Sequence, residues 1–279
     1  MAADPPVADR SRRCAIAIMA KAPHAGRTKT RLSPLLSSDE AMGLASCFLE
    51  DMTANLALAA REVPVDAYVA FAPAGSEAAL ASIVQDGTGF VLADGSAAAP
   101  AGVEGIGRCL LQAACSLLAL GYGAVGLLNS DSPTLPTALL VQAVRSLLDG
   151  EDKVVLGGCT DGGYYFIGMK TAHPNLFWAI DWSTEHVARQ TRQRVGERGL
   201  RLVDLDVWYD VDDAASLSRL IEEVDSGVGN SDAAARFPAP ATTAWLRQHR
   251  QRLAAIEKGA RRDHAASAAQ SAGPTCTAP

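Results

Sequence analysis

Short apolar runs alternate along the chain with longer stretches in which apolar residues recur at helical spacing. The run CAIAIMA at 14–20 precedes a helical stretch from about Ser38 to Ala60, and VDAYVAFA at 65–72 precedes another at 76–84. Ser37 and Glu40 have the spacing of a capping box, so the first long helix is predicted to begin there. Alternation of strands and helices is typical of parallel βαβ units.

The same alternation continues through the second half of the chain. Further strands are predicted at 90–94, 124–131, 153–159, 163–169 and 200–205, and further helices at about 105–120, 136–149, 184–198 and after WYDVDD. The turn between 159 and 163 is too short for a parallel crossover, so one strand is predicted to be antiparallel. The pattern therefore predicts an α/β fold with a mixed, mostly parallel sheet.

The chain has 279 residues, of which 48% are hydrophobic, so it can build a sizeable core. We find neither an internal repeat nor a linker in its middle, and we predict one domain over residues 12–250. Residues 1–11 are expected to be disordered. Beyond Glu257 large apolar residues almost disappear, so a disordered tail is expected at 257–279.

Charge and cysteine usage narrow the classes of function. A net charge of −6 argues against general attraction to nucleic acids or anionic membranes. No apolar run has the length of a membrane span or the setting of a secretion signal. The six cysteines include no C-x-x-C pair and mostly lie in apolar runs, which favours a reduced, cytoplasmic protein.

The first predicted strand runs directly into a cationic loop, KAPHAGRTKTRL at 21–32. Ligands of open α/β sheets bind at the carboxyl ends of strands, and cationic side chains beside backbone amides suit a pyrophosphate. The spacing matches neither the P-loop nor the dinucleotide fingerprint. A solvated basic loop is the alternative.

An aspartate follows the strand at 124–131, in the sequence LLNSDSPTLP. A carboxylate held by a proline-stiffened turn is well placed to bind a hard cation such as Mg²⁺, so Asp131 is the first candidate metal ligand. The alternative is that Asp131 only forms the turn.

Two further segments carry aspartates. In CTDGGYYFIGM, Asp161 could bind metal, orient an acceptor or act as a base, although an Asp-Gly hairpin also explains the sequence. In WYDVDD, Asp210 and Asp212 alternate and would share one face of an extended chain, where they could bind a cation with Asp131. The alternative is capping of the next helix by Asp212 or Asp213.

Taken in order, these segments resemble the DUF2064 family, a CofC-like branch of the nucleotide-diphospho-sugar transferase superfamily that is also similar to the 2-phospholactate guanylyltransferases. The resemblance spans about residues 14–220. It implies a GT-A fold, which is a Rossmann-like three-layer sandwich, and a divalent ion, Mg²⁺ or Mn²⁺, on Asp131, Asp210 and Asp212. It also implies that the nucleotide-phosphate loop ends in Lys29, Thr30, Arg31 and Leu32.

The chain departs from the family pattern at the start of the third helix. There the family often has Leu-Gly-x-Arg, whereas this chain has Cys109 in place of the arginine and Arg108 beside it. If that arginine binds substrate, the departure implies either a different acceptor or impaired activity.

The leading hypothesis is nucleotidyl transfer from a nucleoside triphosphate to a small acceptor bearing a phosphate or acid group. Lys29 and Arg31 would neutralise phosphate charge, and Asp161 would serve at the acceptor. Glycosyl transfer from a nucleotide sugar is the second hypothesis, and a nucleotide-binding pseudoenzyme is the third; a homodimer is left open. The residues expected to contact the nucleotide are Lys21, Gly26, Lys29, Thr30, Arg31, Asn129, Gly162 and Gly163.

Overall fold

The computed structural model describes residues 9–22, 29–32, 35–225 and 236–253. Its strands are β1 (Cys14–Lys21), β2 (Val65–Ala72), β3 (Gly89–Leu92), β4 (Ala124–Leu128), β5 (Lys153–Cys159), β6 (Tyr164–Met169) and β7 (Arg201–Trp208). Its helices are α1 (Ser38–Ala59), α2 (Glu77–Ala81), α3 (Ile106–Ala119), α4 (Thr137–Leu148), α5 (Val187–Glu197), α6 (Ala214–Asp225) and α7, whose described part covers 240–253. Arg10–Arg12 form a 3-10 turn, and the tail predicted at 257–279 lies outside the described residues.

The seven strands form one sheet in the order β3-β2-β1-β4-β6-β5-β7. β1 pairs in parallel with β2 and β4, β2 with β3, and β5 with β7. β6 lies antiparallel between β4 and β5, because the short turn after Cys159 sends the chain straight back. The predicted mixed, mostly parallel sheet is confirmed, including its one antiparallel strand.

Helices cover both faces of the sheet and bury two apolar clusters. On one face α1 and α4 pack over Ile16, Ile18 and Leu128, and on the other α3 and α5 pack over Ala15, Val125 and Ile167. This is the three-layer arrangement that the alternating pattern predicts. The central strands are buried on both faces, which explains their continuous apolar runs.

Local signals in the sequence set several element boundaries. The Ser37 side chain accepts from the backbone N–H of Glu40 while the Glu40 carboxylate accepts from that of Ser37, which is the predicted capping box. β4 ends at Leu128 rather than at residue 131, because the chain then turns towards the loop after β7. β7 continues to Trp208, where it pairs with Cys159.

Helix α7 is absent from the sequence-based prediction and is attached through a buried carboxylate of α1. The Asp51 side chain is completely buried and accepts the backbone N–H groups of Ala241 (3.0 Å) and Thr242 (2.7 Å) at the start of α7. Leu246 and Leu253 then pack in a third apolar cluster with residues of α1 and α6. Burial raises the pKa of Asp51, and the two N–H donors partly offset that rise.

We expect Asp51→Ala to reduce the free energy of unfolding by about 1.5–3 kcal/mol, because it removes two hydrogen bonds to a buried charged group. Urea denaturation of the full chain measures this loss. Glu50→Ala, at the neighbouring exposed position, is the matched control and should change the stability by less than about 0.5 kcal/mol. Equal stability of the two variants would show that Asp51 does not anchor α7.

Candidate functional site

The four segments singled out in the sequence meet at one edge of the sheet. β1, β4, β5 and β7 all point the same way, so the loops that follow them lie along their shared carboxyl-terminal edge. The strand order reverses between β1 and β4, and ligands of open α/β sheets bind at such a point. Topology alone therefore places the candidate residues together.

Hydrogen bonds join the loops after β1, β4 and β7. The backbone N–H of Val211 donates to the carbonyl of Asp131 at 2.8 Å. The Lys29 Nζ lies 2.7 Å from Oδ1 of Asp131, from Oδ1 of Asp212 and from the Val211 carbonyl oxygen. One ammonium group thus connects three loops that are far apart in sequence.

Lys29 is buried and held in an uncommon conformation. Its side chain is 6% exposed, its Nζ lies 5.4 Å from the centre of the Phe48 ring, and its φ is +52°. A left-handed non-glycine residue costs about 1–2 kcal/mol, and such strain concentrates at functional sites. Burial alone would lower the pKa of Lys29, but the charges of Asp131 and Asp212 outweigh it and raise that pKa.

A second group of side chains adjoins this one. Ligand atoms of Cys159, Asp161 and Asp210 all lie within 4.8 Å of one another. Burial, together with the charges of Asp161, Asp212 and Asp131, raises the pKa of Asp210 to about 7. Asp210 therefore links the two groups electrostatically.

The donor chemistry of this site fits a divalent cation. Four carboxylates, those of Asp131, Asp161, Asp210 and Asp212, are close enough to interact, and the buried counter-charge is Lys29. Carboxylate oxygens are the ligands of Mg²⁺ and Mn²⁺, and a shared cation would relieve their repulsion. A possible metal-binding group is thus present, with Asp210 at its centre.

The aspartates of the loop after β7 have different roles: one caps helix α6 and two lie in the site. Asp213 Oδ1 accepts the backbone N–H of Ser216 at 2.8 Å at the start of α6, so Asp213 performs the capping role. Asp212 is left to pair with Lys29 and Asp210 to face Cys159 and Asp161.

The turn between β5 and β6 is shaped by its own aspartate and by the loop before α5. Asp161 Oδ1 accepts the backbone N–H of Gly163 at 2.8 Å. Gly162 has φ +91°, and a Cβ there would lie 2.2 Å from the Glu185 carbonyl oxygen, so close backbone packing requires a glycine. The Asp161 carboxylate remains exposed.

A pocket of about 430 Å³ opens beside the carboxylates. Arg31, Asn129, Asp161, Asp210 and Asp212 line its polar side. Its apolar side is formed by Met19, Ile106, Leu110, Leu127, Tyr164, Trp182 and Val187. The pocket can therefore hold a charged group against an apolar one.

The remaining predicted nucleotide contacts are placed as follows. Lys21 is exposed at the end of β1, and the Asn129 amide donates to Ser132 Oγ at 3.0 Å. Gly26 and the side chain of Thr30 lie outside the described residues. Arg108, beside the unexpected Cys109, donates to the carbonyls of Gly95 (2.9 Å) and Ala97 (3.1 Å). Arg108 therefore fixes a loop rather than replacing the missing arginine.

The model of the family described as "uncharacterized protein conserved in bacteria", DUF2064, matches residues 55–184. Residues 55–184, here called the DUF2064 region, are similar to that family. This confirms the family inferred from the sequence. The DUF2064 region includes Asp131 and Asp161, whereas Lys29, Asp210 and Asp212 lie on either side of it.

Solved structures resemble the whole fold. A protein of Desulfovibrio desulfuricans G20, described provisionally as a nucleotide-diphospho-sugar transferase, matches with a TM-score of 0.70 and 24% identity over 87% of this chain and 97% of its own. At this identity the similarity shows the fold, the GT-A type expected from the sequence. No protein of curated function matches.

Two weaker similarities have TM-scores below 0.5. The homologue of Mycobacterium tuberculosis rv0371c from Mycobacterium sp. strain JC1 is 21% identical over 76% of this chain and 96% of its own, with a TM-score of 0.40. A CMP:2-keto-3-deoxy-manno-octonic acid synthetase in complex with CTP is 13% identical over 75% of this chain and 96% of its own, with a TM-score of 0.44. At these scores neither supports a statement about this chain.

Sequence reasoning missed one residue of the site, Cys159. Its place in an apolar run suggested a packing role, and the structure does bury it, with 7% exposure. The signal that could have identified it is position, since it ends a strand two residues before Asp161.

Among the helices of the described ranges, none combines the length and the hydropathy needed to cross a bilayer.

We predict that the metal-free protein loses stability as the pH rises from about 4 to about 7, through deprotonation of Asp210. Its folded pKa is raised to about 7 from an ordinary 3.8, so the folded state holds a proton that the unfolded state has released. Asp210→Asn should remove this part of the pH dependence. Melting temperatures in chelator across that pH range measure it.

Asp206→Asn is the control, because Asp206 is exposed on β7 and is not one of the charges that raise the pKa of Asp210. It should retain the wild-type pH profile. The same pH dependence in Asp210→Asn as in the wild type would contradict the assignment to Asp210.

Proposed function

We propose that this protein is a metal-dependent transferase acting on a nucleotide, and specifically a nucleotidyltransferase that moves a nucleoside monophosphate from a triphosphate to a small acidic acceptor. The observation that carries the proposal is the direct contact of Lys29, from the loop after β1, with Asp131 and Asp212. A phosphate-binding cation and metal-binding carboxylates meet at one point beside an open pocket.

Asp131, Asp210 and Asp212 would hold Mg²⁺ or Mn²⁺, which when bound supplies neutralisation of phosphate charge. In the ligand-free protein the Lys29 ammonium fulfils part of that role for Asp131 and Asp212. A phosphate chain offers Lys29 a competing anionic partner, and Arg31 lies exposed on the pocket wall within reach of the same ligand. The lysine that neutralises Asp131 and Asp212 therefore serves as a phosphate ligand in the complex.

The reaction needs no protein nucleophile. An oxyanion of the acceptor attacks the α-phosphorus, forming a new P–O bond, and the bond to the β-phosphate breaks to release pyrophosphate. Lys29 and Arg31 stabilise the leaving charge, and positioning lowers the remaining barrier. An acceptor that is already ionised requires no general base, so Asp161 would orient it.

One observation favours glycosyl transfer as the second candidate function. Asp161 presents an exposed carboxylate to the pocket, where it could remove the proton of an acceptor hydroxyl. The description of the D. desulfuricans protein agrees with this alternative. The third hypothesis is a protein that binds nucleotide without turnover. Because Arg108 donates to the Gly95 carbonyl, it does not replace the arginine that the family pattern places at Cys109, and this supports the third hypothesis.

A thermal-shift panel with Mg²⁺ or Mn²⁺ separates these functions. We expect one nucleoside triphosphate to raise the melting temperature and nucleotide sugars to have no effect, since a ligand at about a hundred times its Kd adds about 2.7 kcal/mol of stability. Asp131→Asn should abolish the metal-dependent part of the shift and the turnover. Stabilisation by nucleotide sugars alone would instead favour glycosyl transfer, and near-normal activity of Asp131→Asn would refute the role of Asp131.

Arg31→Ala and Lys29→Ala should each weaken triphosphate binding by about 1.5–3 kcal/mol, as expected for hydrogen bonds to charged groups. Calorimetric titration of the folded variants measures the loss. Because Lys29 also compensates buried carboxylates, the exposed Arg31 provides the cleaner test. Arg189→Ala, an exposed arginine on α5, is the control and should bind as the wild type does. Unchanged affinity in Arg31→Ala would remove the loop after β1 from the nucleotide site.

A further inference from the structure

We propose that Cys159 is a further direct ligand of the metal ion that Asp131, Asp210 and Asp212 would hold, on the side of Asp210 where Asp161 also lies, and that its sulfur raises the affinity of the site for thiophilic divalent ions such as Co²⁺ and Zn²⁺ relative to Mg²⁺. The inference rests on the proposed metal-dependent function. It adds a sulfur donor to a site otherwise built from oxygen.

The first argument is the occupancy of the carboxylates. The Lys29 Nζ lies 2.7 Å from Oδ1 of Asp131 and from Oδ1 of Asp212, so both carboxylates already have a cationic partner. Asp210 has no ion pair with any described residue and faces Cys159 and Asp161 instead. The part of the site that lacks a cation in the described structure is therefore the side on which Cys159 lies.

The second argument is geometry. Metal–thiolate bonds are about 2.3 Å and metal–carboxylate bonds about 2.0–2.2 Å, so two donors on one ion lie up to about 4.5 Å apart. The three ligand atoms are within 4.8 Å of one another. The limit of their separation is thus close to the span of two donors on one ion, and the exposed Asp161 is free to adjust.

The backbone holds these donors in place. Cys159 pairs with Trp208 across β5 and β7, and the Thr160 N–H donates to the Trp208 carbonyl at 3.0 Å. The Cys159 N–H donates to the Gly163 carbonyl at 2.9 Å, which closes the turn that carries Asp161. The sheet thus fixes Cys159 and the turn that carries Asp161.

The third argument is the environment of the thiol. Cys159 is more than nine-tenths buried, and its sulfur has no hydrogen-bond partner among the described residues. The sulfur is the one soft donor of this group, beside the two carboxylates. On metal binding the thiol proton passes to solvent and the sulfur donates an electron pair to the ion.

A sulfur ligand has a specific consequence for metal choice. Thiolates favour Zn²⁺ and similar ions, whereas carboxylates and water suit Mg²⁺. Removing the sulfur should therefore weaken the binding of thiophilic ions and leave the affinity for Mg²⁺ almost unchanged. A purely structural role of Cys159 would not produce this difference.

The test is a Co²⁺ titration of the reduced, metal-free full-length protein, followed by absorbance and by calorimetry. We expect the wild type to show a sulfur-to-cobalt charge-transfer band in the near ultraviolet. Cys159→Ser should lose the band and bind Co²⁺ about tenfold more weakly, which is about 1.4 kcal/mol, with Mg²⁺ affinity changed by less than about twofold. Cys115→Ser, on the exposed side of α3, is the matched control and should keep the band.

The possible outcomes separate this inference from the proposed function. Calorimetric Co²⁺ binding without the band, or a band that survives Cys159→Ser, would overturn the role of Cys159 and leave the metal-dependent function standing. Absence of Co²⁺ and Mg²⁺ binding would overturn both. If Cys159→Ser does not fold, Cys159→Ala and X-ray absorption of the Zn²⁺-loaded wild type decide the matter, the latter by the presence or absence of one sulfur neighbour at about 2.3 Å.

Discussion

The contact of the Lys29 ammonium with Asp131 and Asp212 is the interaction on which the geometry of the site depends. It joins the loops that follow β1, β4 and β7, and each of these loops would otherwise be set only by its own strand. Bringing together two carboxylates requires a positive charge between them, and a buried ammonium supplies it. The left-handed backbone of Lys29 is a strain that these contacts can offset.

The sheet brings the loops of this contact together, and buried hydrogen bonds hold the two aspartate loops in place. Asn55 on α1 donates to the Leu135 carbonyl at 2.7 Å and accepts from Thr137, which fixes the segment after Asp131. The Tyr209 hydroxyl donates to Glu223 at 2.6 Å and so fixes the start of the loop after β7 on α6. Each aspartate loop is therefore supported from behind by a different helix.

The sequence was sufficient for the fold because its signals are local. Alternating apolar runs, the capping box of Ser37 and Glu40 and the short turn before β6 each act over a few residues. The four site segments could also be placed at one edge, because strand direction follows from the order of the elements.

The contacts that define the site could not be read in the same way, because they join residues far apart in the chain. Lys29 and Asp212 are 183 positions apart, and Asp51 and Thr242 are 191 apart. No periodicity or spacing reports such a pair. Cys159 was missed for another reason: a cysteine in an apolar run predicts a core residue, and only the folded chain brings it beside Asp161 and Asp210.

The balance of charge also bears on how a nucleotide would bind. Among the described residues of the site, four carboxylates stand against Lys29 and the exposed Arg31, so a phosphate chain alone would meet net negative charge from them. On the proposed function, a divalent cation would change that sign locally and would free Lys29 from Asp131 and Asp212 by taking over their neutralisation. On the proposed function, metal and phosphate therefore favour each other's binding, and the buried lysine is the group whose change of partner couples them.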